Sequence, residues 1–255
     1  MKSGEAPWFG YLPVEGDVSF ALNPELDLGA LQAEFARNRR IQIRNVLAPQ
    51  TADRLHFALA RETPYGLAYA ENTKARYISR EDLAKLPPPE QHRLLSGIME
   101  GAGRGDYSYA YNCYPILDEY MAGRNQHLYT HRWIEYVNSD AVTGLVRHVT
   151  GFDDLVKADA QATYYSRNQF LFLHTDSHVM EGWRVAYVLN MAKDWKEDFG
   201  GYLLFYDEEG NVTQGFKPAF NTLNMFAVPQ RHSVSYVPNF APPGRFALTG
   251  WFRNK

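Results

Sequence analysis

The chain reads as a mainly β protein, a two-sheet jelly roll with N-terminal and mid-chain helices packed on it. Three observations predict this. From about residue 160 onward, short β-patterned runs follow one another with turn residues between them. Aromatic residues make up 15% of the chain, with 17 Tyr and 15 Phe, a composition that suits pleated, half-buried surfaces. Before residue 160 the apolar residues fall instead at helical spacing, which supplies elements to cover one face of a sheet.

Taken in order, Asn23-Pro24 or Asp27 starts a helix on which Leu28, Leu31 and Phe35 fall at i, i+3 and i+7. The basic run Arg37 to Arg40 then sits where that helix ends, and cations there suit the helix dipole better than they suggest a phosphate site. Ile41 to Leu47 alternates with period two and predicts a strand. Pro49 opens a second helix with Leu55 and Leu59 on one face. Pro87-Pro88-Pro89 and the glycine-rich Gly101 to Gly105 read as connections, the latter a mobile surface loop; without a following Lys-Ser/Thr it is no phosphate loop. Asn138 or Ser139 caps a third helix, whose stripe Val142, Leu145, Val146, Val149 ends at Gly151. The β runs are 160–166, 170–174, 184–190, 201–206, 222–228, 232–237 and 245–252. With 41–47 they make about eight strands, the number a jelly roll uses. At 255 residues a single domain is expected: 1–155 largely helical support plus the strand 41–47, and 156–255 the jelly-roll core.

The formal net charge of −3 carries no electrostatic footprint for nucleic acid. Cys113 is the only cysteine, which excludes a disulfide framework and multi-cysteine zinc sites, and it reads as a buried, inert thiol. Met1 to Pro13 has no apolar core of a secretory signal, and no run reaches the roughly 18 apolar residues of a membrane span. A cytoplasmic protein without nucleic-acid or membrane partners is the expectation, its oligomeric state open.

The chemistry centres on His174-Thr175-Asp176, at the end of the run Phe170-Leu171-Phe172-Leu173. Side chains at i and i+2 of a strand share a face, so imidazole and carboxylate can converge inside a sandwich. By itself the tripeptide is weak, since chance supplies one in roughly a third of such chains. His232 opens a later run, and two His with one carboxylate on one octahedral face is the ligand set of non-haem Fe(II) oxygenases. Arg245 heads the last run, where its fork suits a carboxylate. An Arg entering the apolar strand Phe246-Ala247-Leu248 needs an anionic partner, either a structural Asp or Glu or a bound acid.

These residues carry a resemblance. Tyr165-x8-His174-x-Asp176, then Leu189-Asn190-x3-Asp194-Trp195 leading to Gly200-Gly201-Tyr202-Leu203, then His232-x2-Ser235-x9-Arg245, and the ending Arg245 to Phe252 resemble the prolyl-4-hydroxylase type of 2-oxoglutarate/Fe(II) dioxygenases. The resemblance runs from about Ile41 and is close from Ala160 onward. It implies a double-stranded β-helix, His174, Asp176 and His232 as metal ligands, and Arg245 as the anchor for the C5 carboxylate of 2-oxoglutarate. It also implies Fe(II), 2-oxoglutarate and O2 as metal and co-substrates, with ascorbate as an accessory. Tyr165 and Thr249 are further candidates for the co-substrate site; a core aromatic and a strand hydroxyl are their plain alternatives. Two departures stand out: residues 239–244 lengthen the spacing to Arg245, and Tyr165 precedes Ser166-Arg167-Asn168 where a glycine turn is usual.

The reaction so implied is hydroxylation of an unactivated C–H bond with loss of CO2 from the 2-oxo acid. The leading substrate is a prolyl residue of a protein or peptide, the runner-up a free amino acid or small metabolite. A non-catalytic jelly-roll module and a zinc hydrolase are the competitors from other classes. The i, i+4 pairs His127/His131 and His174/His178 could grip zinc but lack the Glu of a His-Glu-x-x-His site. Asp153-Asp154 reads as a turn or cap after Gly151, and His178 as a turn or substrate-facing loop. Tyr107, Tyr109, Tyr111 and Tyr114 either line a substrate entrance or simply pack.

Overall fold

Hydrogen bonding between antiparallel neighbours organises the protein, described here by a computed structural model for residues 18–176 and 181–255. The strands are β1 (Arg40–Arg44), β2 (Gly66–Glu71), β3 (Lys74–Ile78), β4 (Tyr109–Tyr114), β5 (Lys157–Ala158), β6 (Gln161–Tyr165), β7 (Phe170–His174), β8 (Trp183–Asn190), β9 (Leu203–Tyr206), β10 (Val212–Phe216), β11 (Thr222–Ala227), β12 (His232–Val234) and β13 (Arg245–Arg253). They follow the order β1-β11-β8-β13-β6-β4-β7-β12-β9-β10, with β2 between β4 and β3, and β5 on β13.

The ladder folds over into the nearly closed barrel of a jelly roll. Ala186 and Phe226 on one half meet Leu203, Phe205 and Phe216 on the other, forming the interior between the layers. On the opposite face of the β8/β11/β13 layer, Val185, Tyr187, Leu189, Met225 and Leu248 join the main core. Helices cover that face: α1 (Leu28–Asn38) through Phe35, α2 (Pro49–Phe57) through Leu55, and α7 (Asp140–Thr150) through Val142, Leu145, Val146 and Val149. Two expected caps form, while Ser139 precedes α7 without a side-chain cap bond, its hydroxyl donating instead to the Tyr136 carbonyl. Asp27 accepts from the Ala30 N–H at 3.0 Å, and Gly151 closes α7 with φ 72°. Four more helices, α3 (Arg80–Lys85), α4 (Pro88–Gly103), α5 (Ile116–Met121) and α6 (His131–Val137), fill the connections.

Several expectations are corrected. The region before residue 155 holds four strands rather than one, because 66–78 folds into the β2–β3 hairpin and the Tyr107–Tyr114 segment contributes β4. The strand expected at 41–47 covers Arg40–Arg44: Asn45 adopts φ 52° and breaks it, turning Val46 and Leu47 into the core. The expected glycine-rich loop is helical as far as Gly103. Pro88 and Pro89 start α4, and Gly101 is one of its buried positions. Asp153-Asp154 is a turn, as read. Asn168, at φ 65°, takes the left-handed conformation where a glycine was the usual residue. The extra length at 239–244 is tied back by Arg167, which donates to the Ala241 carbonyl at 2.8 Å. His178 and Met1 to Pro13 lie outside the described residues. No helix among the described residues is long and apolar enough to cross a membrane.

Candidate functional site

β7 and β12 are neighbours in the ladder, and their register places His174 directly opposite His232. A bulge follows at once: Val234 pairs with Leu171, so three residues of β7 oppose two of β12, and the local twist re-aims the side chains there. The imidazole rings lie 4.1 Å apart. Asp176, two residues past the end of β7, brings its carboxylate within 3.4 Å of His174 Nε2 and 3.5 Å of His232 Nε2. Among the described residues these three form the one cluster of at least three His, Cys, Asp or Glu side chains with donor atoms all within 4.8 Å of one another. His127 and His131 belong to no such group; His131 is instead a buried partner of the Tyr114 hydroxyl at 2.8 Å.

The hydrogen bonds fix which imidazole nitrogens are free. His174 Nδ1 lies 2.8 Å from the Phe172 carbonyl, and His232 Nδ1 lies 2.8 Å from the Gln230 carbonyl. A carbonyl only accepts, so each Nδ1 carries a proton and each ring turns its Nε2 toward Asp176. Burial pushes the His232 imidazolium down to about 4, which keeps this ring neutral. Burial by itself pushes the Asp176 carboxyl up, but its polar neighbours His174, His232 and the Trp251 indole N–H outweigh this and hold it below the usual carboxylate range. Two imidazole nitrogens and a carboxylate oxygen that all lie within 4.8 Å of one another can close on a divalent ion with ligands at about 2.1 Å. The donor set fits such an ion.

Beside the triad lies a cavity of about 590 Å³, lined among others by Tyr107, Tyr109, Tyr111, Tyr165, Arg245 and Thr249. Arg245 is 2% exposed. Its Nε donates to the Gly201 carbonyl at 2.8 Å and its guanidinium lies 4.3 Å from the centroid of the Tyr165 ring. A Cβ at Gly201 would come within 2.9 Å of Arg245 Cδ and Nε, so the side chain passes where only glycine leaves room. Among the described residues no Asp or Glu pairs with Arg245, and its Nη1 has no hydrogen-bond partner. Thr249 Oγ1, on the same face of β13, is likewise buried without one. Of the two partners left open for this arginine, the structural acid is absent, and a cavity holding two orphaned donors suits a bound carboxylate.

All six side chains singled out from the sequence, His174, Asp176, His232, Arg245, Tyr165 and Thr249, line this one cavity. Two contributors were not anticipated, and one open alternative is decided. Trp251 donates its indole N–H to Asp176 Oδ2 at 2.9 Å. Gly201 makes way for Arg245. Tyr107, just ahead of β4, and Tyr109 and Tyr111 on it form a wall: Tyr107 lies 6.2 Å from the His174 ring, and successive centroids are 5.9 Å to Tyr109, 5.7 Å to Tyr111 and 5.1 Å to Tyr165 of β6. Tyr114 faces away, into the helical side. Cys113 is buried, and burial pushes its thiol up to about 12, the inert character expected of it.

Residues 160–253 match the family model of the 2OG-Fe(II) oxygenase superfamily. A curated mouse (Mus musculus) prolyl 3-hydroxylase is 30% identical over 111 residues, 41% of this chain and 20% of that protein. The chain thus spans about a fifth of the length of this relative. Among solved structures, a Burkholderia pseudomallei oxidoreductase of the 2OG-Fe(II) oxygenase family aligns with TM-score 0.62 at 13% identity, over 94% of this chain and 97% of its own. A Pseudomonas putida prolyl-4-hydroxylase aligns with TM-score 0.57 at 19% identity, over 89% and 99%. A Trichoplax adhaerens prolyl hydroxylase, solved with a peptide of the hypoxia inducible factor oxygen degradation domain, aligns with TM-score 0.57 at 16% identity, over 89% of each chain. At these identities the likeness is one of fold.

Proposed function

We infer, from the match of residues 160–253 to the 2OG-Fe(II) oxygenase superfamily, that this chain is a 2-oxoglutarate/Fe(II)-dependent dioxygenase that hydroxylates a prolyl residue of a protein or peptide. Fe(II), 2-oxoglutarate and O2 are the metal and co-substrates of that family. His174 and His232 would hold the ion through Nε2 and Asp176 through one carboxylate oxygen. The bound ion activates O2 and polarises the 2-oxo acid, chemistry that no side chain supplies. Arg245 would take the C5 carboxylate, with Thr249 and Tyr165 beside it.

The observation that carries this reading is the pairing of an acid-free, buried Arg245 with the triad in one cavity. A decayed jelly-roll module would have no reason to keep the guanidinium uncompensated, and a zinc hydrolase would have no use for it. The prolyl substrate is supported by the tyrosine wall, because aromatic faces pack a saturated ring well. It is supported also by the prolyl hydroxylases among the relatives, one of them solved with a peptide.

Anaerobic addition of Fe(II) and 2-oxoglutarate to metal-free protein tests the centre. A visible charge-transfer band is expected, absent in Asp176→Ala and much weakened in Arg245→Ala. Tight zinc binding with no such band in the wild type would overturn the reading. Under O2, proline-containing peptides are expected to gain about 16 Da, the mass of one oxygen atom; a gain confined to free amino acids would transfer the assignment to a small-molecule hydroxylase.

A further inference from the structure

Asp176 lies beyond the last hydrogen-bonded pair of β7, so the strand ladder does not orient its carboxylate. Among the described residues, the hydrogen bond that reaches this carboxylate from outside the triad is the one from Trp251 Nε1 to Oδ2. The indole is itself fixed on several sides. Trp251 stacks on Trp183 with centroids 4.2 Å apart and planes 11° from parallel, and its backbone N–H donates to Asp159 Oδ1 at 2.8 Å. At the preceding position a Cβ would fall 2.2 Å from the Asp159 carbonyl oxygen, so Gly250 permits this close approach. Two residues on, Arg253 pairs with Asp159 and, at 2.7 Å, with Glu181. Two side chains of β13 therefore tether Asp176 and Glu181, on either side of the connection from β7 to β8.

We propose that Trp251 is the positioning residue for Asp176, taking up Oδ2 so that the carboxylate meets the metal through Oδ1 alone. This rests on the reading of the triad as an Fe(II)/2-oxoglutarate centre. Three protein donors leave three of six octahedral positions open, two for the 2-oxo acid and one for O2. A carboxylate free to turn and bind through both oxygens would take one of those three. The indole N–H prevents this by making Oδ2 the poorer donor and by fixing the plane of the group, in the way that hydrogen bonds around a ligand set elsewhere govern affinity and geometry.

The test uses full-length, metal-free protein with Co(II) as probe, whose visible absorption reports affinity and coordination number, followed by anaerobic 2-oxoglutarate. Trp251→Phe keeps a ring against Trp183 and deletes the N–H. Its Co(II) affinity is expected to fall by about 10- to 100-fold, its spectrum to change, and its response to 2-oxoglutarate to weaken. The unfolding midpoint without metal should stay close to that of the wild type. Trp183→Phe, which trims the stack and leaves the N–H, should cost several-fold less. Equal Co(II) affinity and an unchanged spectrum in Trp251→Phe would overturn the proposal, as would an equal loss in both variants. Should Trp251→Phe not fold, wild-type indole exchange decides: Zn(II) must slow one tryptophan N–H, and no slowing overturns it. A wild type that binds neither Co(II) nor 2-oxoglutarate refutes the underlying centre; an intact wild type with an indifferent Trp251→Phe refutes only the role of Trp251.

Discussion

Arg245 is buried at a cost, and that cost separates its role from ordinary packing. Burial pulls its guanidinium down to about 10, still charged at neutral pH, while Tyr165 and one carbonyl are its described partners. Removing an uncompensated buried charge is often neutral or stabilising. Arg245→Met is therefore expected to leave the unfolding midpoint without 2-oxoglutarate unchanged or higher. The same variant should lose about 100-fold in 2-oxoglutarate affinity, since a buried charge pair is worth roughly 2–5 kcal/mol. Thermal melts with and without the co-substrate check both halves, and a large drop in the unliganded midpoint would mark a structural arginine instead. At this scale the sequence was readable wherever geometry is local. The i, i+2 spacing of His174 and Asp176 marked the pair although Asp176 lies past the end of β7, and Arg245 stands out as a charge entering an apolar run. Trp251 was not readable, because the partner of an indole N–H depends on how β13 crosses the connection after β7.

Gly201 shows how a single backbone position serves an element. With φ 69° and the Arg245 side chain 2.9 Å from where a Cβ would stand, it supports a left-handed turn and an arginine passage together. Gly201→Ala is expected to cost about 1–3 kcal/mol of stability from the strained conformation. Because it displaces the guanidinium, it should also raise the KM for 2-oxoglutarate more than it lowers kcat; equal effects on both would argue against displacement. The elements that escaped the sequence did so for physical reasons. β3 is exposed along most of its length, so no alternation marks it. β4 breaks its alternation midway, and its tyrosines form a row that reads equally as a lining or as packing. In α4 the glycines gather at the C-terminal end, where a helix tolerates them, and the proline start was the stronger signal. The seven later runs were legible because each is bounded by turn residues and alternates or is apolar throughout.

Over the whole molecule, the catalytic-type core does not stand apart from what precedes it. β4 is inserted between β6 and β7 in the ladder, and β1 closes the edge beside β11. The main core also runs through Phe35, Leu55, Leu59 and the α7 stripe. A fragment of residues 156–255 is thus expected to be unfolded or molten by near-UV circular dichroism and dye binding, despite containing every proposed ligand; a cooperative melt of that fragment would contradict this. The eight strands read from the sequence sufficed for a jelly roll, although the described residues hold thirteen. The additional ones extend or interleave with the same two layers and leave the class unchanged. What pattern alone did not disclose was that the first half provides the wall facing His174, Asp176 and His232.

The facing histidines of β7 and β12 have a mechanical side as well. β12 is only three residues long and the rung beyond His232 is bulged, so this seam has few backbone bonds to hold it. An ion shared by His174 and His232 would act there as a rivet through both strands. Slipping β12 by one residue would rotate His232 to the other face and break the rivet, so iron loading would also proofread the register of these two strands.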